Sequence, residues 1–187
     1  MDIIKNSIKA HLEAVMALET INSDIHDLVE SVVSTIKRGG TLFLFGNGGS
    51  ASDAQHIAAE FTGRFVKERE PMAAIALTTD TSALTAIAND YGYDQVFVRQ
   101  VKALIKKGDL AIGISTSGNS EGINLALEAA KDKGAYTAAL TGRNGGRMVS
   151  ICDVNVVVPS EVTARIQECH ILIGHIVCEA AENESLV

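Results

Sequence analysis

Apolar positions divide this chain into two regimes. In the first forty residues they recur every three or four positions. Ile4, Ile8, Leu12 and Val15 share one face of a helix over 2–20, and Ile25, Leu28, Val29, Val32 and Ile36 form the stripe of a second. Asn22, Ser23 and Asp24 offer the second helix N-caps, and Gly39-Gly40 stops it. Beyond residue 40 the pattern becomes short continuous apolar runs: TLFLF (41–45), AAIAL (73–77), LAIGI (110–114), TAAL (137–140) and VNVVV (154–158). Successive apolar residues fit a strand covered on both faces, because alternate side chains leave a sheet on opposite sides. Helical periodicity fills the gaps over 52–65, 81–106 with a break near Tyr91-Gly92, 120–133, a short piece near 145–151, and a long closing helix over 161–182.

Strands alternating with helices predict βαβ units. The expected architecture is α/β: a three-layer sandwich with a five-stranded parallel sheet flanked by helices. A single domain over 1–187 is expected, with the helical segment of about 1–38 packing in an oligomer. The apolar faces of the first and last helices exceed what one thin domain needs to cover, which favours an obligate oligomer.

Composition narrows the function classes. The net charge of −7 supplies no basic face for a nucleic-acid backbone, yet a small anionic ligand in a local positive pocket stays possible. Cys152, Cys169 and Cys178 are scattered and odd in number, so they read as small buried apolar residues rather than disulfides or a thiolate metal knuckle. No basic start runs into an apolar stretch, and no apolar run is long enough to span a bilayer. A soluble cytoplasmic protein is expected, without nucleic-acid or membrane partners.

Ligands of parallel sheets bind beyond the carboxyl ends of the strands, so the chemistry is sought there. After the third strand the chain reads Ser115-Thr116-Ser117-Gly118-Asn119-Ser120 and enters a helix. Hydroxyls and a helix N-terminus converge in such a turn and can hold a phosphate without Lys or Arg. After the first strand it reads Gly46-Asn47-Gly48-Gly49-Ser50. A P-loop is rejected for want of Gly-Lys-Ser/Thr, and a dinucleotide fingerprint is weak, although Asp80 sits where a ribose-binding acid would be. The preferred reading is a loop whose glycines let the backbone approach a sugar, with Ser50 adding a hydroxyl. The helix that follows carries Asp53, His56 and Glu60 on one face, a spacing that suits either two ligands of one metal or an acid/base pair. The closing helix carries Arg165, Gln167, Glu168, His170 and His175; His175 lies in its most apolar part and needs a partner, while His170 reads as structural. His11 and His26 read as surface residues.

The segments GNGGSASDAQHIAAEFTGRF, AIALTTDTSALTAIANDYG, IGISTSGNS, LTGRNGG and TARIQECHILIGHIVCE, in order over nearly the whole chain, resemble the phosphoheptose isomerases, a family with the sugar isomerase (SIS) domain. The resemblance implies an aldose–ketose isomerase that converts sedoheptulose 7-phosphate to D-glycero-D-manno-heptose 7-phosphate, the first step toward nucleotide-activated heptose for lipopolysaccharide or capsule. It implies that His56, Glu60, Gln167 and His175 hold one Zn2+ per subunit and that Glu60 and His175 form the acid/base pair. Asn47, Gly48 and Gly49 match its sugar-loop positions, as do Asn89 and Asp90; Ser115, Thr116, Ser117 and Ser120 match its phosphate loop. It also implies a homotetramer. Gln167 and His175 lie about 12 Å apart along a continuous helix, which favours sites shared between chains, with Glu60 and His175 of one site coming from different copies. The alternatives are a non-catalytic SIS protein that binds the replication initiator, another SIS isomerase, or a sugar-phosphate sensor. The relative that binds the initiator lacks the acid and the imidazole that this chain carries at Glu60 and His175.

Overall fold

Strands β1 (Leu42–Gly46), β2 (Ala74–Ala76), β3 (Leu110–Ile114), β4 (Tyr136–Gly142) and β5 (Val154–Val158) form one parallel sheet in the order β2-β1-β3-β4-β5. The computed structural model describes residues 2–184. Every residue of β1 and β3 is buried, as their unbroken apolar runs require. The pleat sorts their side chains. Leu42 and Leu44 join a core with α2 (Asn22–Lys37), α3 (Gly49–Thr62) and α7 (Thr163–Glu184), while Phe43 and Phe45 join one with α5 (Val96–Leu104) and α6 (Glu121–Asp132). The three expected layers follow from this division. Phe45 is wholly buried, and removing such a side chain from water contributes about 2–3 kcal/mol.

Several boundaries differ from the sequence expectation. Helix α3 starts at Gly49 rather than 52. The break expected near Tyr91-Gly92 is present: the span 81–106 is two helices, α4 (Thr81–Tyr91) and α5, with Gly92 at φ 87° and ψ 155° between them. The piece near 145–151 is a 3-10 turn over Gly146–Ser150. Asn22, Ser23 and Asp24 do not cap α2 from outside. A 3-10 turn, Leu18–Ile21, runs directly into the helix, so they occupy its first turn. Asp80 is also explained locally: its carboxylate caps α4 by accepting from the Ala83 amide at 2.9 Å.

Helix α1 (Ile3–Ala17) forms where expected; Val15 of its apolar stripe packs against the core, and the rest of the stripe faces away from the chain. Ile4 is 70% exposed and Ile8 and Leu12 each 56%, whereas Ala14 and Leu18 turn inward. His11 is not the unpartnered surface residue expected. Its Nδ1 lies 2.7 Å from Glu168 Oε2, and Arg165 donates to both Glu168 and the Ser7 carbonyl, tying α1 to α7.

The three cysteines are free and buried. Burial pushes the Cys152 and Cys178 thiols up to about 12, which keeps them protonated and unreactive. His170 is structural, as expected. It is fully buried, its Nε2 donates to the Thr141 carbonyl at 2.9 Å, and its Nδ1 has no partner. Burial lowers its pKa from 6.5 to about 4, with the Thr141 bond opposing. The folded state therefore binds this proton less readily than the unfolded chain. The stabilisation from a neutral His170 is complete above about pH 6.5 and declines as pH falls toward 4, by up to about 3 kcal/mol. Urea midpoints measured across that window should fall with acid, and His170→Gln should flatten the slope. An equal slope in the variant would assign it to other groups.

Candidate active site

From β1 the chain crosses to β2 on one side, then returns to place β3 on the other. This reversal opens a crevice at the carboxyl ends of β1 and β3. Gly46 pairs with Ile114, so the loops after the two strands leave the sheet side by side. The glycine and serine loops found in the sequence are therefore neighbours in space.

In the first loop Gly48 takes φ 58° and ψ −122°, a conformation reserved for glycine, and turns the chain directly into α3. No side chain caps α3, so its positive dipole end faces the crevice. Ser50 is buried just inside the turn, and Asn47 Oδ1 accepts from the Tyr93 hydroxyl at 3.0 Å. In the second loop Ser120 is the N-cap of α6, yet its hydroxyl is not spent on capping; it meets the buried Ser115 Oγ at 3.0 Å. Ser117 Oγ accepts from the Asn119 amide, and Thr116 and Ser117 are half-buried beside it. The turn that follows LTGRNGG braces this loop from behind: the Met148 amide donates to Gly118 O at 3.1 Å and the Arg147 amide to Asn119 Oδ1 at 3.0 Å.

Helices α3 and α7 pack alongside one another with their residues in parallel register. The Gln167 amide lies against Gly49, Ile57 fills the space above Gly174, and His56 meets His175. The two Nε2 atoms are 3.0 Å apart, so one ring carries the proton that the other accepts. Glu60 Oε1 is 3.4 Å from His56 Nε2, and the Phe65 ring stands 5.3 Å from the His175 ring. Asp53 lies one turn earlier on α3. Its Oδ2 is buried without a partner, and burial raises its pKa while His56 opposes.

The structure thus brings His56, Glu60 and His175 together within one chain. The residue that His175 meets is one turn from Glu60 on the same helix. Gln167 is not brought to the other three, since it sits about two turns away at the glycine loop. Asn89 and Asp90 are exposed at the end of α4 and bond each other at 2.8 Å; among the described residues no hydrogen bond ties either to the two loops. Tyr93, three residues on, does reach the glycine loop.

Among the described residues there is no assembled group of three or more His, Cys, Asp or Glu placed to hold a metal. The donor chemistry nevertheless suits one. Neighbouring nitrogen ligands of a tetrahedral zinc stand about 3.3 Å apart, close to the separation of the two imidazole nitrogens.

Sequence reasoning missed Arg69 and Glu182. Their side chains are 3% and 2% exposed and pair at 3.4 Å below this cluster. Arg69 lies in the polar run KERE, which reads as an ordinary loop, and Glu182 in the last turn of a helix, where an acid reads as solvated. A carboxylate at a helix C-terminus, opposed by the dipole, was the available signal.

The chain is similar to known proteins over nearly its whole length. The family model described as SIS domain matches residues 5–142. A phosphoheptose isomerase of Aliarcobacter butzleri is 56% identical over 176 residues, covering 94% of this chain and 93% of that protein. The solved structure of a phosphoheptose isomerase from Francisella tularensis superposes with a TM-score of 0.92 at 37% identity, covering 97% of each chain. That from Neisseria gonorrhoeae gives 0.86 at 43% identity over 96% of this chain and 99% of that one. With the predicted sheet, the paired loops and the His56–His175–Glu60 cluster all in place, the chain belongs to the phosphoheptose isomerase family of SIS-domain proteins.

Proposed function

We propose that this enzyme isomerises sedoheptulose 7-phosphate to D-glycero-D-manno-heptose 7-phosphate through an enediol, supplying the first intermediate of nucleotide-activated heptose synthesis. The observation that carries this reading is the placement of an imidazole pair and a carboxylate on α3 and α7, in a family member whose hydroxyl loop opens the neighbouring helix. Ser115, Thr116, Ser117 and Ser120 take the phosphate at the N-terminus of α6. Asn47, Gly48, Gly49, Ser50, Asp53 and Gln167 line the sugar, with Asn89 and Asp90 joining from a second chain or after closure on substrate.

The reaction moves one proton from C1 to C2 and another between the two oxygens. Glu60 suits the carbon proton and His175 the oxygen side, because each holds a proton acceptor at the same end of the α3–α7 pair. Burial raises the pKa of Asp53 while His56 opposes, and its unpartnered Oδ2 can accept a hydrogen bond from a sugar hydroxyl. His56 and His175, with Glu60, would hold a zinc ion, and Gln167 would join only by reaching along α7. When bound, the ion supplies Lewis-acid polarisation of the carbonyl.

A homotetramer is the natural cover for the outward Ile4, Ile8 and Leu12 stripe. No helix among the described residues is long and apolar enough to cross a membrane, and a cytoplasmic setting is proposed with the sugar-phosphate substrate. The test is turnover of sedoheptulose 7-phosphate followed by NMR, with and without prior chelation. Activity is expected in the untreated enzyme. A strong chelator should lower it, and added Zn2+ should restore it. Full activity in metal-free protein would leave His56 and Gln167 as substrate or packing residues. No turnover in any metal state would overturn the isomerase reading.

A further inference from the structure

The buried Arg69–Glu182 pair does more than neutralise itself. Arg69 Nη2 donates to the carbonyl of Glu60 at 2.7 Å, and Nη1 donates to the carbonyls of Phe61 at 3.0 Å and Glu70 at 3.0 Å. The first two are last-turn carbonyls of α3, which the helix itself leaves without partners. On the other side, Glu182 Oε1 accepts from the Phe65 amide at 3.0 Å, and its Oε2 accepts from Val66 at 3.0 Å and Lys67 at 2.8 Å. The Phe65 ring in turn lies 5.3 Å from the His175 ring. One ion pair therefore fixes the backbone that carries Glu60 and, through Phe65, a wall of the imidazole that faces it.

We infer that Arg69 and Glu182 are positioning residues for the reaction: they clamp the 63–70 strap across α3 and α7 and hold Glu60 and His175 in register. The inference rests on the proposed roles of those two residues. It differs from a plain stabilising ion pair in its use of geometry. A guanidinium can reach two carbonyls of α3 and Glu182 together because its donors form a planar fork; a lysine ammonium in the same place keeps the charge but cannot span them. Proton transfer depends steeply on such alignment, so a small shift of Glu60 is expected to lower kcat rather than substrate binding.

The test uses the full chain with Arg69→Lys and Phe65→Leu. Both keep the local charge or apolar volume. For each variant, kcat and KM for sedoheptulose 7-phosphate, the melting temperature, and the ring resonances of His56 and His175 at one fixed pH are measured beside the wild type. Arg69→Lys is expected to lose at least about tenfold in kcat, with KM changed by less than about threefold, and to move the His175 ring resonances. Phe65→Leu should move the same resonances and lower kcat in the same direction, since it removes the wall without touching the ion pair. Wild-type kcat and unmoved resonances in Arg69→Lys, with only the melting temperature reduced, would show a purely structural pair that lysine rescues. Should Arg69→Lys not fold, unmoved resonances and wild-type kcat in Phe65→Leu overturn the inference by themselves. If the wild type does not turn over the substrate, the isomerase reading falls alone, and the resonances still decide whether the strap positions His175.

Discussion

Glu60→Gln and His175→Asn are each expected to lower the turnover of sedoheptulose 7-phosphate by at least about a hundredfold, the usual contribution of a positioned general acid or base. Glu60→Gln keeps side-chain volume, His175→Asn keeps a hydrogen-bonding group in a smaller side chain, and both sites are partly exposed, so the fold should survive. Glu60→Gln removes the carboxylate proposed to accept the carbon-bound proton. His175→Asn removes the nitrogen that faces His56 at 3.0 Å. Turnover within tenfold of wild type in either folded variant would remove that residue from the mechanism. The same two proteins decide where a site is built. Because His175 meets the Glu60 helix within one chain, co-refolding them should leave activity at background: no mixed assembly contains an intact chain. Recovery to about a quarter of wild-type activity would mean that the pair forms across copies, as symmetric random assembly requires.

The sheet was legible because its strands are continuous apolar runs bounded by glycines and loops, and a strand buried on both faces has few other ways to satisfy such a run. The clustering of His56 with Glu60 was legible from helical spacing alone. The closeness of the serine and glycine loops followed only once the strand order was known, since a sequence does not say that β1 and β3 are neighbours. The partner of His175 could not be read from periodicity. It depends on Gly174 letting α7 approach Ile57 of α3, a contact between residues more than a hundred positions apart. The stripe of α1 was legible as a helix face and as apolar surface beyond what one thin domain covers, but its occupant was not, because amphipathicity reports that a face is covered and not by what. Arg69 and Glu182 stayed invisible for the opposite reason: charged residues in a polar run and a final helical turn look solvated until burial is measured.

Gly118→Ala is expected to be the most damaging small substitution in the chain outside the proton-transfer pair. The residue holds φ 65°, and a methyl group added there would run into the backbone carbonyl of Gly145, which cannot rotate away as a side chain would. The loop must therefore shift, and Ser115, Ser117 and Ser120 lose their common geometry with the N-terminus of α6. The left-handed conformation costs about 1–2 kcal/mol for a residue with a Cβ, and the overlap adds a further 1–3 kcal/mol or so of strain. KM for the sugar phosphate should rise more than tenfold, and inorganic phosphate should inhibit correspondingly less well. Ser120→Ala, which removes one hydroxyl and no backbone contact, should raise KM by a smaller factor. Gly39→Ala separates the two costs, because Gly39 holds a similar φ of 73° with nothing within 4 Å of the added carbon and lies at the far end of β1. It should lower the melting temperature modestly and leave KM alone. If Gly118→Ala bound substrate as tightly as Gly39→Ala, the hydroxyl loop would be an ordinary helix cap and the phosphate would have to lie elsewhere in the crevice.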